Sequence, residues 1–141
     1  MDEILEKIAE PHLGSKTTYT DDLMSFGNLM LRGRLHGVYP SDMIPRLTET
    51  RPYAIVNLDN KYEPGSHWVA LAKTNDGLLV YDSFARPSHT ILPSVYGSGN
   101  GAIRDTEDDV EQADHEENCG ARCVAWLILF DNWGEDMAER I

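Results

Sequence analysis

Cysteine is scarce in this chain of 141 residues, which contains two, Cys119 and Cys123, four positions apart. Two cysteines so close together do not form the disulfide framework that stabilises small secreted domains, and we therefore expect a reducing compartment. The sequence also lacks a signal peptide and the run of about 20 apolar residues that a membrane-spanning helix needs. We take Met1 as a genuine N-terminus and expect no membrane partner.

Basic residues are few as well. The chain has 12 Lys and Arg against 24 Asp and Glu, for a net charge of −12, and its nearest approach to a basic cluster is Arg32 with Arg34. Because nucleic acids and anionic membrane surfaces repel such a chain, we expect neither to bind it. The length fits a single domain, residues 1–141, with a core of its own. We expect this domain to be a monomer.

The order of predicted elements indicates an α+β fold, with a small antiparallel or mixed sheet packed against a buried helix. An N-terminal extension, residues 1–19, begins with a short helix over residues 2–10, and a second helix begins with Thr20 as its N-cap and ends near Gly33. Three strands are predicted, over residues 53–58, 67–73 and 78–84. An Asp-Gly turn over residues 74–77 joins the last two as a hairpin.

Loops account for two other stretches. Residues 37–42 have the composition of a turn, and residues 94–117 are predicted to be a mobile loop, rich in glycine at first and then acidic. Eight of the thirteen residues in 105–117 are acidic, which is typical of a solvated face. Because the glycines lack a following helix start and a lysine, they predict a flexible loop rather than a phosphate-binding site.

The stretch Asn118-Cys119-Gly120 opens the most apolar segment of the chain, and we predict a buried helix from Cys119 to about Phe130. Asn118 is a favoured N-cap residue, and Cys119 would lie at the positive end of the helix dipole, which favours a thiolate. Gly120 leaves room for a reacting carbonyl. On this segment alone, a small buried hydrophobe is the more common role of such a cysteine.

The predicted hairpin places His67 at the start of one strand and Asp82 near the end of the next. A two- or four-residue turn puts both side chains on one face of the sheet, whereas a three-residue turn puts them on opposite faces. In such a pair the carboxylate orients an imidazole that acts as a base towards a thiol. A half-exposed histidine and an ordinary strand-end aspartate remain the alternative. Gln112 is a candidate oxyanion donor, although a surface role is more usual.

A zinc site is the main rival constellation. His115, Cys119 and Cys123 are spaced four apart and would offer three ligands on one helix face. Structural zinc sites use four ligands, usually in paired short motifs, and no second half is evident. We therefore expect neither a metal nor another cofactor. Cys123 is predicted to be a core residue, since a disulfide to Cys119 within one helix would be strained.

Taken in order, these segments resemble the adenain-type cysteine proteases of viruses and the related Ulp-type SUMO proteases. The resemblance covers roughly residues 20–130 and rests on Gly-Ser-His-Trp at 65–68, Tyr-Asp-Ser-Phe at 81–84, Gln112, and Asn-Cys-Gly at 118–120. The seven-residue step from Gln112 to Cys119 is similar to that of adenain. Each motif alone would be weak evidence for the resemblance, but the order of the motifs along the chain is a specific signal.

The resemblance implies a papain-like or adenain-like architecture and a role for each matching residue. Cys119 would be the nucleophile, His67 its base, Asp82 the residue that orients the base, and Gln112 part of the oxyanion hole. Trp68 would help to shape a narrow substrate cleft. The family favours small residues, often glycine, before the scissile bond.

Two substrate classes follow from the two branches of the family. The viral branch processes capsid and core precursors, which would place the protein in the virion and in the cytoplasm or nucleus of the host cell. The Ulp branch cuts after the Gly-Gly end of ubiquitin-like modifiers. The short chain leaves little surface to grip a folded modifier, so we expect the viral branch. A non-catalytic binding or zinc module on the same fold is the further alternative.

The chain departs from adenain in ways that bear on activation. It is shorter and ends soon after the nucleophile helix, and its acidity argues against the DNA activator of adenain. An activating peptide stays an open expectation, although the sequence has no third cysteine to hold one by a disulfide while Cys119 stays free. The acidic run before Cys119 also opposes thiolate formation, weakly if that run is solvated.

Overall fold

The computed structural model describes residues 20–58, 67–83, 86–106 and 119–134. Within these ranges a five-stranded sheet lies between helices, and the fold class is α+β. The elements in chain order are α1 (Thr20–Met30), β1 (Leu35–Pro40), β2 (Tyr53–Asn57), β3 (Trp68–Lys73), β4 (Gly77–Tyr81), α2 (Ser88–Ile91), a 3-10 helix (Pro93–Gly97), β5 (Ala102–Asp105) and α3 (Cys119–Trp133). The predicted helix over residues 2–10 lies outside the described residues.

The sheet is mixed, and its spatial order β1-β2-β3-β4-β5 follows the chain. Strands β2, β3 and β4 pair antiparallel, whereas the two outer strands β1 and β5 run parallel to their neighbours. The three central strands are buried along almost their whole length. A nearly continuous apolar run is typical of a strand that is covered on both faces.

Two apolar clusters cover the two faces of the sheet. Helices α1 and α3 pack on the face that presents Ile55, Ala70 and Tyr81. The segment before β2, together with α2 and the 3-10 helix, packs on the other face through Leu47, Leu92 and Val95. Helix α3 is buried continuously from Cys119 to Leu129 and lies within the core, because the residues of this stretch other than Arg122 are small or apolar.

Helix α1 ends at a left-handed turn. Arg32 and Gly33 both have positive φ, 54° and 77°, and the Gly33 N–H donates to the carbonyl of Asn28 at 2.9 Å. This is the six-to-one bond of a Schellman motif, in which Arg32 is the first residue beyond the helix cap and Gly33 the second. The predicted end of the helix near Gly33 is confirmed, with the glycine one position later in the motif than expected.

Two predictions about loops are wrong. Of the stretch predicted as a turn, 37–42, residues 37–40 form most of strand β1, which is irregular between Leu35 and Gly37 and ends at Pro40, and residues 41 and 42 form a turn. The described part of the predicted loop 94–117 contains most of the 3-10 helix and all of β5. In both places the strand is held by pairing with a distant strand, and such pairing overrides local turn propensity. Residues 107–117 lie outside the described residues.

Among the residues that the structure describes, no helix has the length and apolar character needed to cross a membrane.

Candidate active site

Three predicted site residues lie where elements begin or end. His67 directly precedes β3, Asp82 directly follows β4, and Cys119 is the first residue of α3. Because β3 and β4 are antiparallel, the start of one strand lies beside the end of the other. The carbonyl of His67 also accepts the N–H of Leu58 at 2.8 Å, which extends the β2–β3 ladder to this edge of the sheet.

The turn between β3 and β4 sets which face His67 and Asp82 share. Lys73 pairs with Leu78, so the connection contains four residues. Thr74 closes the turn, since its N–H donates to the Gly77 carbonyl at 2.9 Å and its Oγ1 accepts the Gly77 N–H at 3.0 Å. A four-residue turn puts residues 67 and 82 on the same face, as predicted for this turn length.

His67 and Asp82 are in contact. The imidazole Nε2 of His67 forms a buried hydrogen bond with Oδ1 of Asp82, and the two residues are only 8 % and 4 % exposed. Burial by itself disfavours the imidazolium, but hydrogen bonds to Asp82 and Cys119 outweigh it and raise the pKa of His67 above its usual value. Burial disfavours the carboxylate too, and its bonds to His67 and Arg86 outweigh this and lower the pKa of Asp82.

The thiol of Cys119 completes the arrangement, because it forms a side-chain hydrogen bond with His67. Strict alternation assigns residues 67 and 82 to the sheet face opposite α3. Both residues stand just outside β3 and β4, however, and His67 contacts Cys119 at the start of α3. Since Nε2 faces Asp82, we infer that Nδ1 is the ring nitrogen that faces the thiol.

Arg86 is the residue that the sequence analysis missed. Its Nε donates to Oδ2 of Asp82 at 2.9 Å, and its backbone N–H donates to the same oxygen at 3.2 Å. The only signal in the sequence is an arginine four positions after an aspartate. That spacing indicates a pair on a helix, but residues 82 and 86 are not in a helix here.

Cys123 lies one turn further along α3 and is 1 % exposed. Burial, followed by repulsion from Cys119 and Asp82, raises the pKa of the Cys123 thiol well above its usual value. Both cysteines are free thiols. Within the described ranges no group of three or more His, Cys, Asp or Glu side chains is arranged to hold a metal ion; His115, the third residue of the rival zinc constellation, lies outside those ranges.

The two predicted substrate-contacting residues are buried. Trp68 is 2 % exposed and belongs to the core cluster that also contains Cys119. This placement differs from the expected cleft wall, because even-numbered residues of β3 face helix α3. Its indole Nε1 and the side-chain oxygen of Asn57, directly opposite on β2, have no hydrogen-bond partner within the described ranges. Gly120 is buried in the first turn of α3.

Two residues named from the sequence, Gln112 and Asn118, lie outside the described residues, as does most of the acidic run. The structure therefore brings together His67, Asp82 and Cys119, and adds Arg86 to them. Histidine between a carboxylate and a thiol can move a proton from the thiol and return it to a leaving group.

Compared with known protein families and with curated proteins, the chain matches no family model and no curated sequence.

Proposed function

We propose that this protein is a cysteine endopeptidase in which Cys119 is the nucleophile, His67 the general base and acid, and Asp82 the residue that orients His67. The observation that carries the proposal is the His67 side chain, which is hydrogen-bonded to a buried carboxylate on one side and to a thiol on the other. A base held between its orienting group and the nucleophile is the arrangement that activates a nucleophile in acyl transfer.

The proposed reaction has two halves. His67 takes the proton of the Cys119 thiol, and Sγ attacks the carbonyl carbon of the scissile peptide while the carbonyl electron pair moves to the oxygen. When this intermediate collapses, the C–N bond breaks and the amine leaves with the proton from His67. Water, deprotonated by His67, then attacks the thioester, releases the acid and restores the thiol.

The developing oxyanion needs donors in both halves. The backbone amide of Cys119, at the start of α3, is the proposed donor from the described part of the chain, because the amides at the start of a helix lie at the positive end of its dipole. The side-chain amide of Gln112 stays a prediction as the second donor. The architecture is a separate part of the proposal. Helix α3 begins beside the ends of strands in a mixed sheet, and this packing supports an adenain-like or papain-like architecture.

The proposed substrates are precursors of viral structural proteins, cleaved after small or glycine-containing sites. This part rests on the resemblance of the motifs around His67, Asp82 and Cys119. Incubation with candidate capsid and core proteins, followed by sequencing of the new termini, should reveal such sites. A modifier ending in Gly-Gly and carrying a C-terminal electrophile provides the contrast, since trapping of that probe would assign the protein to the deconjugating branch instead.

Alkylation of the native protein tests the catalytic assignment without a known substrate. Iodoacetamide should modify Cys119 at least about tenfold faster than Cys123, because His67 contacts Cys119 and can take its proton, whereas Cys123 is buried and the pKa of its thiol is raised. His67→Ala should slow the reaction at neutral pH. His89→Ala is the matched control, since His89 is exposed on α2 and its loss should leave the rate unchanged.

Peptide hydrolysis provides the second arm of the test. Cys119→Ala should abolish cleavage, and Cys123→Ala should retain it if the folded fraction is unchanged. Preferential alkylation of Cys123, or cleavage that persists in Cys119→Ala, would contradict the assignment.

A further inference from the structure

The two oxygens of the Asp82 carboxylate have different partners. Oδ1 faces His67, whereas Oδ2 accepts both the Nε–H of Arg86 at 2.9 Å and the Arg86 backbone N–H at 3.2 Å. The Asp82 side chain is 2 % exposed, while that of Arg86 is 38 % exposed. A carboxylate this deeply buried has little water to satisfy it, so its protein donors determine how it is oriented.

Rotation of the carboxylate is the motion that these bonds oppose. With two donors on Oδ2, the oxygens cannot exchange places without breaking both bonds, and the geometry of Oδ1 towards His67 is maintained. The charged or titratable groups of the described elements that interact with Asp82 include His67 before β3, Arg86 before α2 and the thiol of Cys123 on α3. Arg86 is the only permanent cation among them, so it opposes the desolvation that favours a protonated Asp82.

The orientation of Asp82 has a direct consequence for the base. An ionised Oδ1 accepts a hydrogen bond from the Nε2–H of neutral His67, which leaves Nδ1 unprotonated and able to take the proton of the Cys119 thiol. A protonated or rotated Asp82 would allow the other tautomer, in which Nδ1 already carries a proton and cannot act as the base.

We propose that Arg86 is a positioning residue of this site, which holds Asp82 ionised and oriented so that His67 keeps its proton on Nε2 and presents Nδ1 to Cys119. This inference rests on the proposed function for its kinetic consequences, but not for its effect on His67 and Asp82. Arg86 lies two positions beyond the last residue of the Tyr-Asp-Ser-Phe motif and is no part of the sequence signature.

Three variants test the assignment. Arg86→Gln removes the side-chain cation but keeps the backbone N–H, and Arg86→Lys keeps the charge without the planar guanidinium. Arg51→Gln is the matched control, because Arg51 is exposed and precedes β2 at the opposite end of the sheet. Thermal melts followed by circular dichroism establish the folded fraction, and if Arg86→Gln does not fold, Arg86→Lys alone decides.

NMR of the His67 ring nitrogens and of the Asp82 carboxyl carbon is the primary readout. In the wild-type protein, neutral His67 should be protonated on Nε2. Arg86→Gln should add a measurable share of the Nδ1-protonated form and raise the pKa of Asp82, Arg86→Lys should lie between the two proteins, and Arg51→Gln should match the wild type.

Peptidase kinetics give the second readout. For Arg86→Gln, kcat should fall about tenfold to 100-fold, since the reacting groups lose their alignment, with KM changed by less than about twofold. The acid limb of the kcat profile should move to higher pH, because Asp82 then needs a higher pH to ionise.

The assignment would be overturned if Arg86→Gln showed the same His67 tautomer, Asp82 titration and acid limb as the wild type. If only Arg86→Lys folds, the same result in that variant would overturn it. A wild-type protein that cleaves no peptide, but whose His67 and Asp82 signals respond to Arg86→Gln as described, would refute the proposed function and leave the role of Arg86 intact.

Discussion

At the scale of single residues, the ionisation of the candidate site depends on the pair His67 and Asp82. The pKa of His67 is raised in the folded chain, so the pair adds stability below pH 6.5, the ordinary value for histidine, and this contribution is lost as pH rises through the folded pKa. The pKa of Asp82 is lowered, so its contribution is present above pH 3.8, the ordinary value for aspartate, and is lost as pH falls through the folded pKa.

Both contributions are therefore complete between these two pH values, and the pair should matter most for stability there. Asp82→Asn should lower the free energy of unfolding by about 3 kcal/mol near pH 5, because it leaves Arg86 and a buried imidazole without their carboxylate. Urea denaturation at several pH values measures the difference, which should shrink above neutral pH as His67 loses its charge.

Asp42→Asn is the control for this prediction, since Asp42 is exposed and follows β1. A difference between wild type and Asp82→Asn that stays constant from pH 4 to 9 would show that the charge state of the pair does not contribute to stability.

At the scale of elements, helix α3 is held to the sheet at its middle and near its C-terminal end. Trp126 stacks on Tyr81 with ring centroids 5.2 Å apart, and Tyr81 is the residue before Asp82. Near the C-terminal end of the helix, the carboxylate of Asp131 accepts hydrogen bonds from Arg32 at 3.0 Å, Arg34 at 2.8 Å and the Tyr53 hydroxyl at 2.8 Å. These contacts set the position of the helix, and with it the position of Cys119 at its start.

Strand β4 depends on one glycine for its pairing with β5. A Cβ added to Gly77 would lie 1.9 Å from the carbonyl oxygen of Ala102, an atom of the backbone of β5. Gly77→Ala should therefore cost about 3 kcal/mol or more of folding free energy, because backbone atoms of two paired strands would have to separate. Chemical denaturation followed by tryptophan fluorescence measures this loss.

Gly97→Ala is the matched control for Gly77→Ala. It adds the same methyl group in the 3-10 helix, where a Cβ would meet nothing within 4 Å. Its stability should stay within about 0.5 kcal/mol of the wild type. Equal effects of the two substitutions would show that the approach of β5 to Gly77 is not required by the fold.

At the scale of the whole molecule, the net charge of −12 governs encounters with other macromolecules. At about 0.15 M salt, short duplex DNA should neither bind the protein in fluorescence anisotropy nor raise kcat/KM for a peptide substrate, because like charges repel and no counterions are released. This outcome would distinguish the chain from adenain-type enzymes that DNA stimulates. Saturable binding, or faster hydrolysis on addition of DNA, would contradict the prediction.

The amino-acid sequence by itself predicted the central elements and named His67, Asp82 and Cys119 as candidate site residues. The apolar runs in β2, β3, β4 and α3 are dense enough to specify buried elements locally. The Thr-Asn-Asp-Gly turn at residues 74–77 allowed a shared face for His67 and Asp82, and the observed register has the turn length that the contact required. These features are local, since each depends on residues close together in the chain.

Only the tertiary structure decided which distant groups complete the arrangement. The local sequence of β1 predicts a turn and that of β5 predicts a loop. Both segments form strands because they pair in parallel with β2 and β4, respectively. Arg86 contacts Asp82 although neither residue belongs to a helix or a strand. The hydrogen bond between His67 and Cys119 forms because α3 packs against the sheet and begins beside the strand end where His67 lies. Contacts between residues far apart in the chain, or outside a regular element, leave no periodic signal in a sequence, and packing alone selects them.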